Sequence, residues 1–147
     1  MSTSRLVLIL FAIMSIGLPG CGSTPPPAEP GSASVQSKPM QALSYSNKWR
    51  IEVSEGANSS GEIVFHVTPK GGETQVVAVA IKDGTRENRV ARTIKEAFKA
   101  GLDQDDFHVE VDDGEDVLIK KRGDAQDFAL SAVSSTVKSV RIKVEKE

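Results

Sequence analysis

The side chains best able to do chemistry are concentrated in one acidic segment between residues 103 and 116. Its carboxylates are Asp103, Asp105, Asp106, Glu110, Asp112, Asp113, Glu115 and Asp116. Calcium prefers several carboxylate oxygens that converge on one point, so Asp112, Asp113 and Asp116 are the candidate metal ligands. The spacing differs from an EF-hand loop, because Gly114 at the sixth position would put Val109 at the first ligand position. A solvated loop and hairpin turn is the preferred interpretation, since Asp-Gly turns attract aspartate for local reasons.

The two histidines are the next candidates. His66 and His108 each lie in the middle of an alternating segment, on its polar side. This position predicts half-exposed strand residues, not metal ligands or catalysts, because no third ligand is indicated. The chain contains no Gly-x-Ser-x-Gly nucleophile elbow and no phosphate-cradling glycine loop. We therefore expect no catalytic residue, no metal and no cofactor, and we interpret the protein as a non-enzyme.

The one cysteine of the chain, Cys21, follows Leu18, Pro19 and Gly20, which come after an apolar run from Leu6 to Ile16. This arrangement resembles a bacterial lipoprotein signal peptide that ends in a lipobox. The resemblance implies that the Cys21 thiol receives a diacylglyceryl group, that a peptidase cuts before it, and that the amine is acylated as well, for instance with palmitate. Pro19 departs from the small or aliphatic residue usual there. The alternative is an ordinary signal peptide that leaves Cys21 as a free thiol.

The N-terminal part divides into a signal peptide and a tether. The apolar run is about half the length that a membrane span needs, so residues 1–20 are predicted to be a signal peptide. Residues 21–43 are predicted to be a lipidated cysteine and a tether, because their proline- and serine-rich composition cannot bury a core. In lipoproteins of double-membraned bacteria, Asp after the cysteine favours the inner membrane. Gly22 therefore implies the outer membrane, facing the periplasm.

Residues 44–147 have the size of one globular domain. The formal net charge is -2, with a pI near 5.7. Nucleic-acid binding requires a clearly basic face, so this class of function is not expected.

Alternating polar and apolar side chains predict most of the elements of this domain. They predict strands over residues 48–53, 61–68, 107–111, 117–120 and 139–144. In the first strand, Trp49, Ile51 and Val53 should point inward. The segments on either side of Gly114 predict a hairpin. Segment 75–81 is more continuously apolar, which predicts a central strand covered on both faces.

One helix is clear and a second is open. Helical spacing predicts a helix over residues 86–100, capped by Thr85 and stopped by Gly101. Its apolar stripe comprises Val90, Ala91, Ile94, Ala97 and Phe98, and its outward residues are Arg89, Arg92, Lys95, Glu96 and Lys99. Segment 124–135 suits either a second helix or a strand, and a helix is favoured. The predicted fold is α+β: a small single domain with a mixed or antiparallel sheet of about five to six strands.

The order helix, hairpin, second helix and strand from Val90 onward resembles the BON domain. That module occurs in bacterial envelope lipoproteins and is associated with phospholipid or membrane interaction. The matching residues are Val109-Glu110-Val111, Gly114, Val117-Leu118, Thr136-Val137-Lys138-Ser139-Val140, Ile142 and Val144. BON domains usually carry glycine where this chain has Thr136. A second likeness runs from Val79 to Leu130 and is similar to the repeat units of flagellar hook-associated and other extracellular assembly proteins.

Together these observations predict a membrane-anchored envelope lipoprotein whose folded domain binds partners without catalysis. The expected partners are the membrane, through the lipid anchor, and an envelope protein or a phospholipid surface. One alternative is a subunit of an extracellular or envelope assembly. Another is a small metal-dependent enzyme that uses the acidic segment 103–116. The sequence leaves the oligomeric state open.

Overall fold

The computed structural model describes residues 42–147. This part of the chain contains seven strands and one helix. The strands are β1 (Lys48–Ser54), β2 (Gly61–Pro69), β3 (Gln75–Ile81), β4 (Phe107–Asp112), β5 (Asp116–Lys121), β6 (Phe128–Ser135) and β7 (Arg141–Lys146), and the helix is α1 (Glu87–Gly101). A small domain of this kind agrees with the predicted α+β class, although it has more strands than the patterns predict.

The strands form two antiparallel sheets, where the sequence predicts one. The four-stranded sheet has the order β4-β5-β1-β7, and the three-stranded sheet has the order β3-β2-β6. The predicted hairpin is confirmed as β4 and β5, which pair from Phe107–Lys121 to Asp112–Asp116. Asp113 and Gly114 both have positive φ at this turn, the backbone conformation for which Asp-Gly pairs are suited.

The inner faces of both sheets and α1 enclose one hydrophobic core. The predicted inward residues of β1, Trp49, Ile51 and Val53, are all buried. The predicted stripe of α1 is confirmed, because Val90, Ala91, Ile94 and Phe98 are buried and Ala97 packs against the core. The Phe98 ring meets Phe65 of β2 edge to face, with centroids 5.2 Å apart. The helix thus closes the core against strands of both sheets.

Strand β3 corrects one prediction, because it lies at a sheet edge and is covered on one face. Val77 and Val79 point into the core, whereas Val76, Ala78 and Ala80 are exposed. Two of the three exposed residues are alanines, so a continuously apolar run loses little by facing water on one side. The sequence pattern therefore predicted the strand correctly, but the predicted central position of that strand in the sheet was wrong.

Segment 124–135 corrects a second prediction, because it forms strand β6 and not a helix. Phe128 is fully buried, and its ring meets Phe107 edge to face at 5.1 Å. Strand β6 pairs with β2 from Ile63 to Pro69, with one irregularity between Val64 and Phe65. Pairing with β2 outweighs the weak helical spacing of the alanines. The second helix that the BON resemblance implies is therefore absent from this segment.

The start of α1 also differs from prediction. Arg86 occupies the N-cap position without a side-chain cap, and the Thr85 hydroxyl donates instead to the Lys82 carbonyl oxygen at 2.6 Å. The end of α1 also differs: Gly101 was predicted to stop the helix from outside it, but it is the last helical residue and does not have positive φ. Leu102 is the C-cap, and its N–H donates to the Phe98 carbonyl oxygen.

Candidate functional site

The residues predicted to carry the lipid anchor, Leu18, Pro19, Gly20 and Cys21, lie outside the described residues. The anchor therefore stays a prediction. The other candidate residues lie on the outer faces of the two sheets and in the turn between β4 and β5.

The outer face of the four-stranded sheet carries a network of ion pairs centred on Arg50. Its guanidinium group donates hydrogen bonds to Asp116 and Glu147, and Asp112 lies 3.5 Å away. Lys48 donates to the other carboxylate oxygen of Glu147 at 2.8 Å. Strand β1 lies between β5 and β7, which explains how one arginine reaches these carboxylates. The charges on this face are paired with each other.

These contacts hold carboxylates in their ionised form. Hydrogen bonds from Lys48 and Arg50 lower the pKa of Glu147 to about 2. The pKa of Arg50 is raised above its ordinary value by its hydrogen bonds to Glu147 and Asp116. On β4, the pKa of Glu110 is lowered, mainly by a hydrogen bond from Lys120.

The candidate metal ligands do not converge on one point. Asp112 and Asp116 both pair with Arg50, whereas Asp113 lies in the turn and forms no ion pair with it. Asp113 and Asp116 both line a cavity beside this network. Residues 42–147 contain no group of three or more His, Cys, Asp or Glu side chains that could hold a metal ion. The guanidinium group of Arg50 occupies the carboxylate oxygens that a cation would require.

This cavity is acidic and has a volume of about 380 Å³. Its lining carboxylates are Glu52, Glu55, Glu87, Asp113, Glu115 and Asp116. Glu52, Glu55 and Glu87 could not be predicted as part of this site, because they lie far along the chain from the acidic segment. Arg141 lies 3.1 Å from Glu55 and Lys143 lies 3.7 Å from Glu52, so β7 neutralises part of this charge.

The two histidines lie on different sheets and do not form one site. Each is half-buried on a strand, as predicted. Arg122 donates to His108 Nδ1 at 3.0 Å, and His108 Nε2 lies 3.1 Å from Glu110. An arginine can only donate, so this geometry assigns the Nε2-protonated tautomer to His108. Both ring nitrogens are then occupied, and His108 has no free lone pair for a metal or a substrate.

Leu118 is buried on the outer face of the four-stranded sheet, apart from the main core. It is 4% exposed, although its neighbours Val117 and Ile119 point the other way into the core. Its cross-strand partners are Arg50 on β1 and Glu110 on β4. The aliphatic stems of long charged side chains can cover an apolar neighbour, and we infer that the paired charges here cover Leu118.

The outer face of the three-stranded sheet is almost uncharged, in contrast to the other sheet. On this face, Ala78 and Val76 of β3 lie opposite Val64 and His66 of β2. Ser131 of β6 lies on the other side of His66. Val76 is 61% exposed, the largest value among the large hydrophobic residues of the described chain. We call this surface the neutral face. None of the ion pairs of residues 42–147 involves a side chain named on this face, unlike the outer face of the four-stranded sheet.

A cavity of about 270 Å³ lies at one end of the neutral face. Its lining residues are Ala42, Leu43, Ser44, Trp49, His66, Thr68, Thr74, Ala129, Leu130 and Ser131. The described chain therefore begins at the rim of this cavity, where Leu43 is 51% exposed. Thr68 and Thr74 share a hydrogen bond of 2.8 Å, and His66 is the one titratable group in the lining. The lining therefore combines apolar side chains with hydroxyl groups and one imidazole.

No protein-family model matches this chain, and no curated protein matches it. Within residues 42–147, the helix is too short and too polar to cross a membrane.

Proposed function

We propose that this chain is a lipid-anchored protein of the bacterial cell envelope whose folded domain acts by binding a partner protein. The anchor is Cys21 with its lipobox residues Leu18, Pro19 and Gly20. The favoured location is the periplasmic face of the outer membrane. No catalytic residue and no cofactor are part of the proposal.

One observation carries the binding role, which is the contrast between the two outer faces. The charged face is paired internally around Arg50, whereas the neutral face exposes Val76 beside small side chains. A face with few charges and small side chains around one exposed valine can be covered by another protein at little cost, because few polar groups lose their water. The partner expected there is an envelope protein that offers a flat surface with few charges.

The anchor gives this domain a simple means of retention. One acyl chain binds a membrane only marginally, whereas two or three bind firmly, because each buried methylene contributes about 0.8 kcal/mol. Modification of Cys21 also removes the hazard of a single free thiol in an oxidising compartment.

The anchor is tested by intact-mass spectrometry of protein extracted from membranes. We expect a mature wild-type species that begins at Cys21 and carries two or three acyl chains. Cys21→Ala should lack this species, and the control Ser23→Ala should keep it. An unmodified wild-type chain in the soluble fraction would contradict the proposal.

The binding surface is tested by placing a photo-crosslinking amino acid at single positions in the full chain. Val76 and Ala78 on the neutral face should give an adduct of one defined mass in cells. Lys143, exposed on the charged sheet, serves as the control and should give none. Adducts of equal yield at all three positions would argue against a specific neutral face.

A second candidate function, a subunit of an envelope assembly, is favoured by the edge of β3. The seven residues of β3, Gln75–Ile81, include no charged residue, no proline and no bulge. Natural sheets use charges, prolines and bulges to block pairing between exposed edges, so nothing in β3 blocks such pairing. Light scattering after size exclusion should then give oligomers that Ala78→Lys dissociates. A monomer at every concentration would exclude this candidate.

A further inference from the structure

A groove of about 400 Å³ lies beside the first two turns of α1, away from both sheet faces. Its lining residues are Gly84, Thr85, Arg86, Asn88, Arg89 and Arg92. Gly84 has a φ of 73°, and a Cβ there would meet no atom within 4 Å, so this end of the groove is open. We call this surface the arginine groove.

The three arginines form a group without ion pairs, whereas seven of the other thirteen lysines and arginines of residues 42–147 are paired with a carboxylate. Arg86, Arg89 and Arg92 are exposed and form no ion pair with a carboxylate of residues 42–147. The carboxylate nearest in sequence, Glu87, lines the acidic cavity instead. Further along α1, Lys95 is paired with Glu96 at 2.9 Å.

Spacing along the helix explains why the three side chains share one groove. Positions i, i+3 and i+6 follow one another on neighbouring turns, and a rise of 1.5 Å per residue extends the row over about 9 Å. The stripe on the other side of α1 is held in the core by Val90, Ala91 and Ile94. The orientation of the arginines is therefore fixed by packing.

The chemistry of this row fits phosphate groups. Guanidinium groups bind phosphate oxygens through paired hydrogen bonds and keep their charge at any physiological pH. A row of three favours a surface with repeated phosphates over a single small anion, because neighbouring guanidinium groups can contact separate phosphates. A bilayer that contains anionic phospholipid offers such a surface.

We propose that the arginine groove docks the domain onto the phosphate headgroups of an anionic bilayer. This goes beyond the proposed function, since it concerns a second surface and does not require Cys21 to be lipidated. Where the anchor is present, the 21 steps along the chain from Cys21 to Ala42 can span at most about 75 Å, so the groove stays within reach of the headgroups.

The test uses residues 42–147, which contain the whole core described above and belong to one compact unit. The fragment lacks the anchor, so any membrane binding comes from the domain. We would measure its sedimentation at low salt with vesicles of phosphatidylcholine, and with vesicles in which one third is replaced by phosphatidylglycerol. Circular dichroism melts first establish that each variant folds as the wild type does.

The variants are matched in charge. Arg89→Gln with Arg92→Gln removes two cations from the groove, and Lys70→Gln with Lys138→Gln removes two exposed cations elsewhere. A basic residue near an anionic surface contributes about fivefold to binding, so the arginine pair should lower partitioning about 25-fold. The lysine pair should lower it far less, and added salt should weaken wild-type binding.

Three results would overturn the proposal. The first is a wild-type fragment that does not sediment with the anionic vesicles, which would leave an acidic protein as the partner to seek. The second is an equal loss in both double variants, which would mean that only net charge matters. The third is release by millimolar inorganic phosphate at constant ionic strength, which would assign the groove to a soluble anion.

Discussion

Trp49 joins the two sheets through one buried hydrogen bond. Its indole Nε1 donates to the carbonyl oxygen of Phe128 at 2.7 Å, from β1 in one sheet to β6 in the other. The side chain is 6% exposed. Trp49→Phe keeps an aromatic ring in the core and removes the donor, so it isolates the contribution of this bond.

The expected cost follows from what the substitution leaves behind. The Phe128 carbonyl oxygen also accepts from the N–H of Ser46 at 3.0 Å, so it does not become an unsatisfied buried acceptor. The loss is then one net hydrogen bond, about 1 kcal/mol, and a small cavity beside the smaller ring, about another 1 kcal/mol. A total of about 2 kcal/mol lowers the melting temperature of a domain of this size by about 10 °C.

Urea unfolding of residues 42–147 measures this loss. The transition should be followed by circular dichroism, because Trp49 is the one tryptophan of the chain and its fluorescence changes with the substitution. The urea midpoint should fall with an unchanged m-value. Val76→Ala, at an exposed position, is the control and should change stability by less than about 0.5 kcal/mol. A Trp49→Phe loss no larger than that of the control would refute the bridging role.

Three further predictions concern the charged face and the acidic segment. The pKa of Glu147 is about 2 in the folded state against an ordinary value of 4.5, so its stabilising effect is complete above pH 4.5 and is lost as the pH falls towards 2. Glu147→Gln should therefore reduce the acid dependence of the urea midpoint over that window, and an unchanged dependence would contradict the assignment. Millimolar calcium should leave the melting temperature unchanged, because the carboxylates of Asp112 and Asp116 are already paired with Arg50. A clear rise in the melting temperature would support the alternative of a metal-dependent enzyme. Leu118→Ser should destabilise the domain by about 2 kcal/mol in urea although it lies on an outer face, and a loss below 0.5 kcal/mol would mean that the charges do not cover it.

Strand patterns that depend on local alternation could be predicted from the sequence. Trp49, Ile51 and Val53 are buried as predicted, since a period of two fixes the face of a strand. The hairpin around Gly114 was predictable for the same reason, because its turn residues are adjacent in the chain. The apolar stripe of α1 likewise follows from helical spacing alone.

Features that depend on distant parts of the chain could not be predicted. Strand β6 forms because β2 offers it a pairing edge, and nothing in segment 124–135 itself reveals β2. Strand β3 was predicted to be central because hydrophobicity does not report which neighbours a strand has. The pairing of Arg50 with Glu147 joins residues 97 positions apart, so the acidic segment alone could not reveal that its carboxylates are occupied.

The place where the described chain enters the fold determines how the domain would respond to mechanical force. Ser46 exchanges both backbone hydrogen bonds with Phe128, at 3.0 Å each, and β1 begins two residues later. Strand β1 is bonded on both edges, to β5 and β7. Force applied at Ala42 would therefore act on a strand that is hydrogen-bonded on both sides. Such a strand cannot be separated from its sheet one hydrogen bond at a time, as an edge strand can. A domain tethered from this end is well suited to remain folded while its point of attachment moves.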